Sequence, residues 1–280
     1  LALALCFASG AMAQTNWPNQ PIKIINPFPT GGTVDQISRL LQPHLQQALG
    51  QPIIVDSRSG ASGSIGTGIA AKAPPDGYTW VMVFDTHGVN PSLYPNLPFD
   101  TLRDLTPVMQ IGTGSMVVTA HASTPYKTFN DLVQAAKSKP NSISYASAGN
   151  AGQLNSERFR LSAGFEGIHV PFKGTPEAIT EVIAGRVDYF FGPITAAIPH
   201  IREGRLIALA NGSSKRSIML PNVATTVELG YGNSDYNFWI GMFVPLKTSN
   251  AIVARLHEEV IKALQDKDII DRLTKLGAEP

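Results

Sequence analysis

The sequence predicts a mixed α/β protein made of two βαβ-type units, and three observations carry that expectation. Short β-rich runs alternate with helical patterns, first over residues 22–84 and again over 117–191. The strand-to-helix junctions are rich in Gly, Ser and Thr, as turns feeding helix amino ends require. At 280 residues and 43% apolar composition, the chain is long enough for two ordinary domains and can fill their cores.

In the first unit residues 22–27 read as a strand, 34–49 as an amphipathic helix, 52–56 as a strand, 65–72 as a short helix and 79–84 as a third strand. That βαβαβ order demands a parallel sheet with helices on its faces. After residues 100–104 the pattern restarts. Strands are expected at 117–120, 144–146, 168–171 and 187–191, with helices at 128–138, 153–163 and 176–184 between them; Thr128 is the N-cap of the first. Residues 250–276 read as helices, with Ile252, Val253, Leu256, Val260, Ile261 and Leu264 in helical spacing.

Composition narrows the function. Lys plus Arg total 22 against 21 acidic residues, and the basic residues are scattered, which gives no electrostatic footprint for nucleic acid. The first thirteen residues, LALALCFASGAMA, are apolar and end in Ala11-Met12-Ala13, the small-x-small pattern before a signal-peptidase cut. They read as a secretory signal truncated at its amino end, with a mature chain from near Gln14 and a periplasmic destination. The one cysteine, Cys6, falls inside it, so the mature chain has no disulfide, thiolate nucleophile or cysteine-bound metal. No later apolar run reaches the roughly 18 residues that a membrane span needs.

The glycine loops carry the binding chemistry. Gly31 and Gly32 follow the first strand, and Thr33 and Gln36 have capping-box spacing at the mouth of the next helix. One reading is local: glycines for the turn, Thr33 for the cap, Asp35 for the helix dipole. The other is an anion site, because helix amino ends present unpaired N–H groups and partial positive charge. Two further loops favour the second reading: residues 59–66, SGASGSIG, after the second strand, and 147–152, SAGNAG, in the second unit. None is G-x-G-x-x-G with a ribose-reading acid, and no P-loop occurs, so nucleotides are not indicated and no cofactor is expected.

Several segments in fixed order, PFPTGGTVDQISR, VDSRSGASGSIGTGIAAKAPPDGYT, NPSLYPNLPFDTLRDLTPV, VPFKGTPEAITEVIAGRVDYFF and GRLIALA, make the chain resemble the Bug family of periplasmic solute-binding proteins. These are the TctC-like receptors of tripartite tricarboxylate transporters. The resemblance implies a type II periplasmic-binding-protein fold, in which two α/β domains are joined by two crossover strands with a ligand cleft between them. The first crossover falls near Val117 and Val118 and the return at 237–241, so residues 14–117 and 237–280 form one domain and 118–236 the other. It also implies a monomer that binds a small organic carboxylate (di-, tri- or aromatic), with membrane permease subunits as partners.

The family's binding loops carry over to Phe28, Gly31, Gly32, Thr33 and Asp35; to Ser62, Gly63 and Ser64; and to Thr86 and His87. From the second domain come Ser147, Gly149, Asn150 and Ala151, then Lys173, Gly174 and Thr175, and Asp188 of the G-x-V-D segment. Two departures lie near the cleft. Many members have a histidine where this chain reads Gln153-Leu154-Asn155, and a proline where it has Thr30. His87 reads equally as a donor to a carboxylate or as a solvent-exposed or cap histidine. Trp80, Phe190, Phe191, Phe238 and Trp239 read as core, whereas Phe28 is placed to cover the cleft.

A hydrolase finds no support: there is no G-x-S-x-G elbow, and His44, His87, His121, His169, His200 and His257 show no metal-ligand spacing. A receptor that docks on a sensor kinase instead of a permease would have the same sequence features.

Overall fold

The computed structural model describes residues 17–280; the signal expected at 1–13, with Cys6, lies outside them. The first lobe opens with β1 (Ile22–Asn26), α1 (Thr33–Leu49), β2 (Ile53–Ser57), α2 (Ser64–Ala71), β3 (Thr79–Phe84) and α3 (Thr86–Leu93). A long strand, β4 (Leu105–His121), leads out of it. The second lobe contains α4 (Phe129–Ser138), β5 (Ser144–Ala148), α5 (Gly149–Ala163), β6 (Ile168–Phe172), α6 (Thr175–Ile183), β7 (Tyr189–Pro193), α7 (Ile194–Arg202) and β8 (Leu206–Asn211). The chain returns along β9 (Asn237–Pro245) and ends with α8 (Asn250–Gln265), α9 (Lys267–Leu276) and β10 (Ala278–Glu279).

Strand order is β2-β1-β3-β9-β4-β7-β5-β6. β1 pairs in parallel with β2 and β3, and β5 in parallel with β6 and β7, as the alternating pattern requires. β4 and β9 run antiparallel between these two parallel sets. From Leu105 to Ser115, β4 pairs with β9; from Met116 it pairs with β7, and from Val117 with β8. One strand is therefore shared by both lobes.

The sequence reading recovered only residues 117–120 of this strand. Pro107, Gly112 and Gly114, residue types that weaken strands, lie in the unread part, and each has a place. Register shifts between Pro107 and Met109 and between Gln110 and Gly112 accommodate bulges. At Gly114 a Cβ would stand 2.3 Å from the Phe238 ring, so only glycine lets β9's aromatic lie across β4. The unread α3 contains Pro91, and α7 contains Pro199; both were masked by a residue that usually ends a helix.

Two boundaries also moved. The N-cap of α1 is Gly32, so Thr33 is already helical and no capping box forms; Gln36 Nε2 instead donates to the Gly31 carbonyl at 2.9 Å. α5 begins at Gly149, so the glycine segment of the second lobe is the helix's own first turn.

Leu40, Leu41 and Leu45 of α1 share a buried cluster with Leu256, Val260 and Ala263 of α8, which seats the C-terminal helices on the first lobe. Each such leucine or valine contributes roughly 1.5–3 kcal/mol on burial. Asp266 ends α8 and caps α9, its carboxylate accepting from Asp268 N at 2.8 Å. Among the described residues no helix is long and apolar enough to cross a membrane.

Candidate functional site

The carboxyl ends of β1, β3, β5, β6 and β7 converge on a cavity of about 40 Å³ between the lobes. That is room for about three water-sized groups. Its wall includes the N-cap residues of four helices: Gly32 of α1, Ala148 of α5, Gly174 of α6 and Pro193 of α7. First-turn N–H groups have no acceptor within their own helix, and the summed peptide dipoles make these ends partly positive. Thr33, Val34, Gly149 and Thr175 bring such groups to the wall, and Gly152, one residue further into α5, also lines it. Among the described residues Lys173 is the one charged group that lines the cavity, and no carboxylate does. Phe28, Phe84, Met116, Phe190 and Phe191 supply its apolar surface.

The first glycine loop is held by its own polar groups. Asp35 is 3% exposed, and its carboxylate accepts from Gly31 N at 3.0 Å, Arg39 Nε at 3.0 Å and Asn26 Nδ2 at 3.4 Å. Gly31 takes the left-handed conformation, φ 82°, that this turn needs. Gly32 N donates to Pro29 O at 3.2 Å. Both glycine N–H groups are thus used inside the loop, and the cavity-facing donors of α1 are those of Thr33 and Val34. Asp35 organises the loop and is not on the wall.

The second loop carries backbone strain. Ala61 and Ser62 have φ of 47° and 50°, a region that costs non-glycine residues of order 1–3 kcal/mol each. The conformation aims Ser62 Oγ across the cleft, where it accepts from Asn150 N at 3.2 Å. Asn150 Nδ2 also donates to Asn90 Oδ1 at 3.1 Å, and Asn90 Nδ2 donates to Ser62 O at 2.9 Å and Ser64 Oγ at 3.0 Å. Gly63 leaves space for the Phe28 ring, which would stand 2.9 Å from a Cβ there. Elsewhere along the cleft Thr33 Oγ1 and Thr195 Oγ1 are 2.7 Å apart, and Gly174 lies against Pro29. These contacts hold the lobes together around the cavity. Ser64, Asn150 and the unanticipated Asn90 and Thr195 belong to that bridge and not to the wall.

Of the residues carried over from the family, Phe28, Gly32, Thr33, Ser62, Gly149, Lys173, Gly174 and Thr175 line the cavity together. Gly31, Asp35, Gly63, Ser64 and Asn150 lie behind or beside it, as described. Thr86 and Ala151 are buried, the Thr86 methyl standing 3.6 Å from a Cβ built at Gly149. His87 is 7% exposed, stacked on Phe99 at 6.1 Å and packed on Phe243 at 5.1 Å; burial holds its imidazole down to about 4. Ser147 Oγ bonds His169 Nε2 at 2.7 Å and is itself buried.

Asp188 stands at the start of β7, the sheet edge opposite the cavity. Its carboxylate accepts from Ser144 N at 2.8 Å and Ser144 Oγ at 2.7 Å, tying β7 to the start of β5. Asp188→Ala is expected to cost roughly 1.5–3 kcal/mol of stability, lowering Tm by about 3–10 °C, with solute affinity unchanged. Titration calorimetry beside thermal unfolding checks this, and a selective loss of affinity would return Asp188 to the site.

The site residues drawn from the sequence leave out Pro29, Val34, Phe84, Met116, Pro176, Gly192 and Pro193 on the wall, and Ala148 and Gly152 of the 147–152 loop. Phe190 and Phe191, read as core, are buried and also face the cavity, because β7 ends at its floor. Gly192-Pro193 before α7 carried a readable signal, a third strand-to-helix junction in the second lobe.

The profile of the family described as "Tripartite tricarboxylate transporter family receptor" matches residues 37–280. Protein BugT of Bordetella pertussis is 33% identical over 282 aligned positions, covering 99% of this chain and 86% of that protein. Two solved structures from Rhodopseudomonas palustris are similar over 94% of the chain. MatC (Rpa3494) with bound malate is 31% identical, with a TM-score of 0.88 over 90% of its own length. Rpa4515 with adipate is 29% identical, with a TM-score of 0.89 over 89% of its length.

Proposed function

Since this chain belongs to the tripartite tricarboxylate transporter receptor family, a family of solute-binding receptors and not of enzymes, we propose that it captures a small organic carboxylate between its lobes in the periplasm and delivers it to the membrane permease of a tripartite transporter. The observation that carries this reading is the wall itself: among the described residues, four helix amino ends, one lysine and no carboxylate around an apolar floor. Such a wall neutralises an anion with fixed peptide donors and avoids burying a guanidinium, whose desolvation would oppose binding. The malate and adipate bound by the two similar proteins are acids of the same kind. The ligand-binding residues on this reading are Phe28, Gly32, Thr33, Ser62, Gly149, Lys173, Gly174 and Thr175.

A cavity of about 40 Å³ admits a larger solute only when the lobes part. The hinge of that motion is placed on the two connecting strands, where β4 changes partner between Ser115 and Met116 and where β9 begins at Asn237. Closing around solute then presents both lobes to the permease as one surface, a known way for binding proteins to signal occupancy.

A thermal-shift screen tests the reading. A solute that binds only the folded protein raises its apparent Tm, by an amount set by RT ln(1 + [L]/Kd). C4 dicarboxylates, aromatic acids, amino acids and citrate-like acids form the panel, with sugars and amines as controls. A rise with one acid class is expected; a rise confined to sugars or amines would overturn the assignment.

A further inference from the structure

Asp85 is a buried carboxyl that the carboxylate-binding site does not use. It follows β3 directly after Phe84 of the cavity wall and occupies the N-cap position of α3, yet its side chain caps nothing. It is 1% exposed, and only the Tyr236 hydroxyl and the Thr86 N–H stand near its carboxylate, neither in full hydrogen-bond geometry. A buried anion with no cation beside it and only two weak donors is costly, whereas the protonated acid at the same place is neutral.

The cover over Asp85 comes from both lobes. Tyr236, next to it, precedes β9 on the segment returning from the second lobe, where its N–H donates to Gly212 O at 2.5 Å. Thr86, the next residue, meets Gly149 of α5, and Asn90 one turn along α3 bonds Asn150 of α5. Parting the lobes lifts α5 from α3 and gives water access to the carboxyl.

Resting on the reading that the lobes close over solute, we propose that Asp85 is a proton-binding site of the receptor: closing takes one proton from solvent onto Asp85, and opening releases it. One O–H bond forms on a carboxylate oxygen as one breaks in a solvent hydronium or buffer acid, and nothing is oxidised or reduced. The receptor thus takes up a proton along with its solute and returns it where the lobes part.

The electrostatics agree. Burial pushes the Asp85 carboxyl up from 3.8 to about 7, against the opposing pull of the Tyr236 hydroxyl and the Thr86 N–H. The groups facing it are few. His87 on α3 is held down to about 4 by burial, so it stays neutral above that. Arg158 of α5 acts on Tyr236, whose own hydroxyl burial pushes far up, with Asp85 adding to the shift. The turn at residues 61–64 packed against α3 has no titratable side chain. The sign follows from linkage: with the closed-state value raised above the ordinary carboxylate value of the open state, closing is easiest at low pH. It weakens by up to about tenfold per pH unit as pH rises from roughly 4 towards 7.

The test needs no solute. Labels at Leu102→Cys and Leu161→Cys, positions 89% and 69% exposed on opposite lobes, report interlobe distance in a Cys6→Ser background. The ratio of short to long distances is expected to rise up to about tenfold per unit as pH falls from 7 to 5, and to stay flat in Asp85→Asn. Tyr236→Phe, which removes a group favouring the anion, is expected to move the upper end of the window to higher pH, and the Asp85 carboxyl ¹³C resonance follows the same curve. A flat wild-type response, or an equal slope in Asp85→Asn, overturns the proposal. Capture of malate without any pH-dependent closing would remove the proton alone; Asp85-dependent closing in a protein that takes no carboxylate would remove the solute reading alone.

Discussion

Gly174→Val is expected to weaken carboxylate capture by roughly ten- to a hundredfold, the equivalent of about 1–3 kcal/mol of overpacking, while the unliganded protein keeps its melting temperature. Gly174 is the N-cap of α6 with φ −174° and ψ 171°, an extended conformation open to any residue. The second lobe by itself therefore tolerates a side chain. The conflict lies across the cleft, where a Cβ would stand 2.6 Å from Pro29 Cγ and 2.8 Å from Pro29 Cδ. A proline ring cannot swing aside as a long flexible side chain would, so the lobes must stay apart by the width of the new group. Gly174→Ala is expected to show a smaller loss in the same direction. Calorimetric affinity beside thermal unfolding of the unliganded protein separates a closing defect from a folding one. Full affinity in the valine variant would mean that solute is held without the lobe contact seen here.

Asp35→Asn is expected to lower stability by roughly 1–3 kcal/mol, about 3–10 °C in Tm, and to weaken capture together with it. Gly31 N–H, Asn26 Nδ2 and Arg39 Nε all donate to this one carboxylate. An amide of the same shape has one acceptor oxygen and turns an NH₂ towards a donor, so at least one of these bonds is lost. Arg39 is 49% exposed and its share is small in water; the bond that decides is the one to Gly31, which fixes the loop before α1. Faster amide exchange at Gly31 is the direct readout, and a protected Gly31 in the variant would show that the loop is held by other means. The contrast with Asp188→Ala is the useful one: both acids were carried over as solute contacts, and only Asp35 stands behind a loop that reaches the wall.

The glycine loops were legible because their information is local. Small residues at a strand-to-helix junction specify a turn and an exposed helix end whatever the remainder of the chain does, and Gly32, Thr33, Gly149 and Gly174 all reach the cavity. The apolar floor was not legible. Phe190 and Phe191 look like any strand aromatics, and only the pairing of β7 with β4 puts them at the meeting point of the lobes. The bridge was hidden for a related reason: Asn90 lies in a helix masked by Pro91, and its partner Asn150 is 60 residues away.

By itself the sequence determined the α/β alternation, the two-lobed organisation and the set of amide-rich helix mouths, because periodicity and turn chemistry act over a few residues at a time. The tertiary structure alone decided which donors face solute and which serve the loops. It also put the buried carboxyl of Asp85 beneath the lobe contact and set β4's change of partner between Ser115 and Met116. Those outcomes depend on pairings between residues distant along the chain, and each is a competition among partners that no single segment contains.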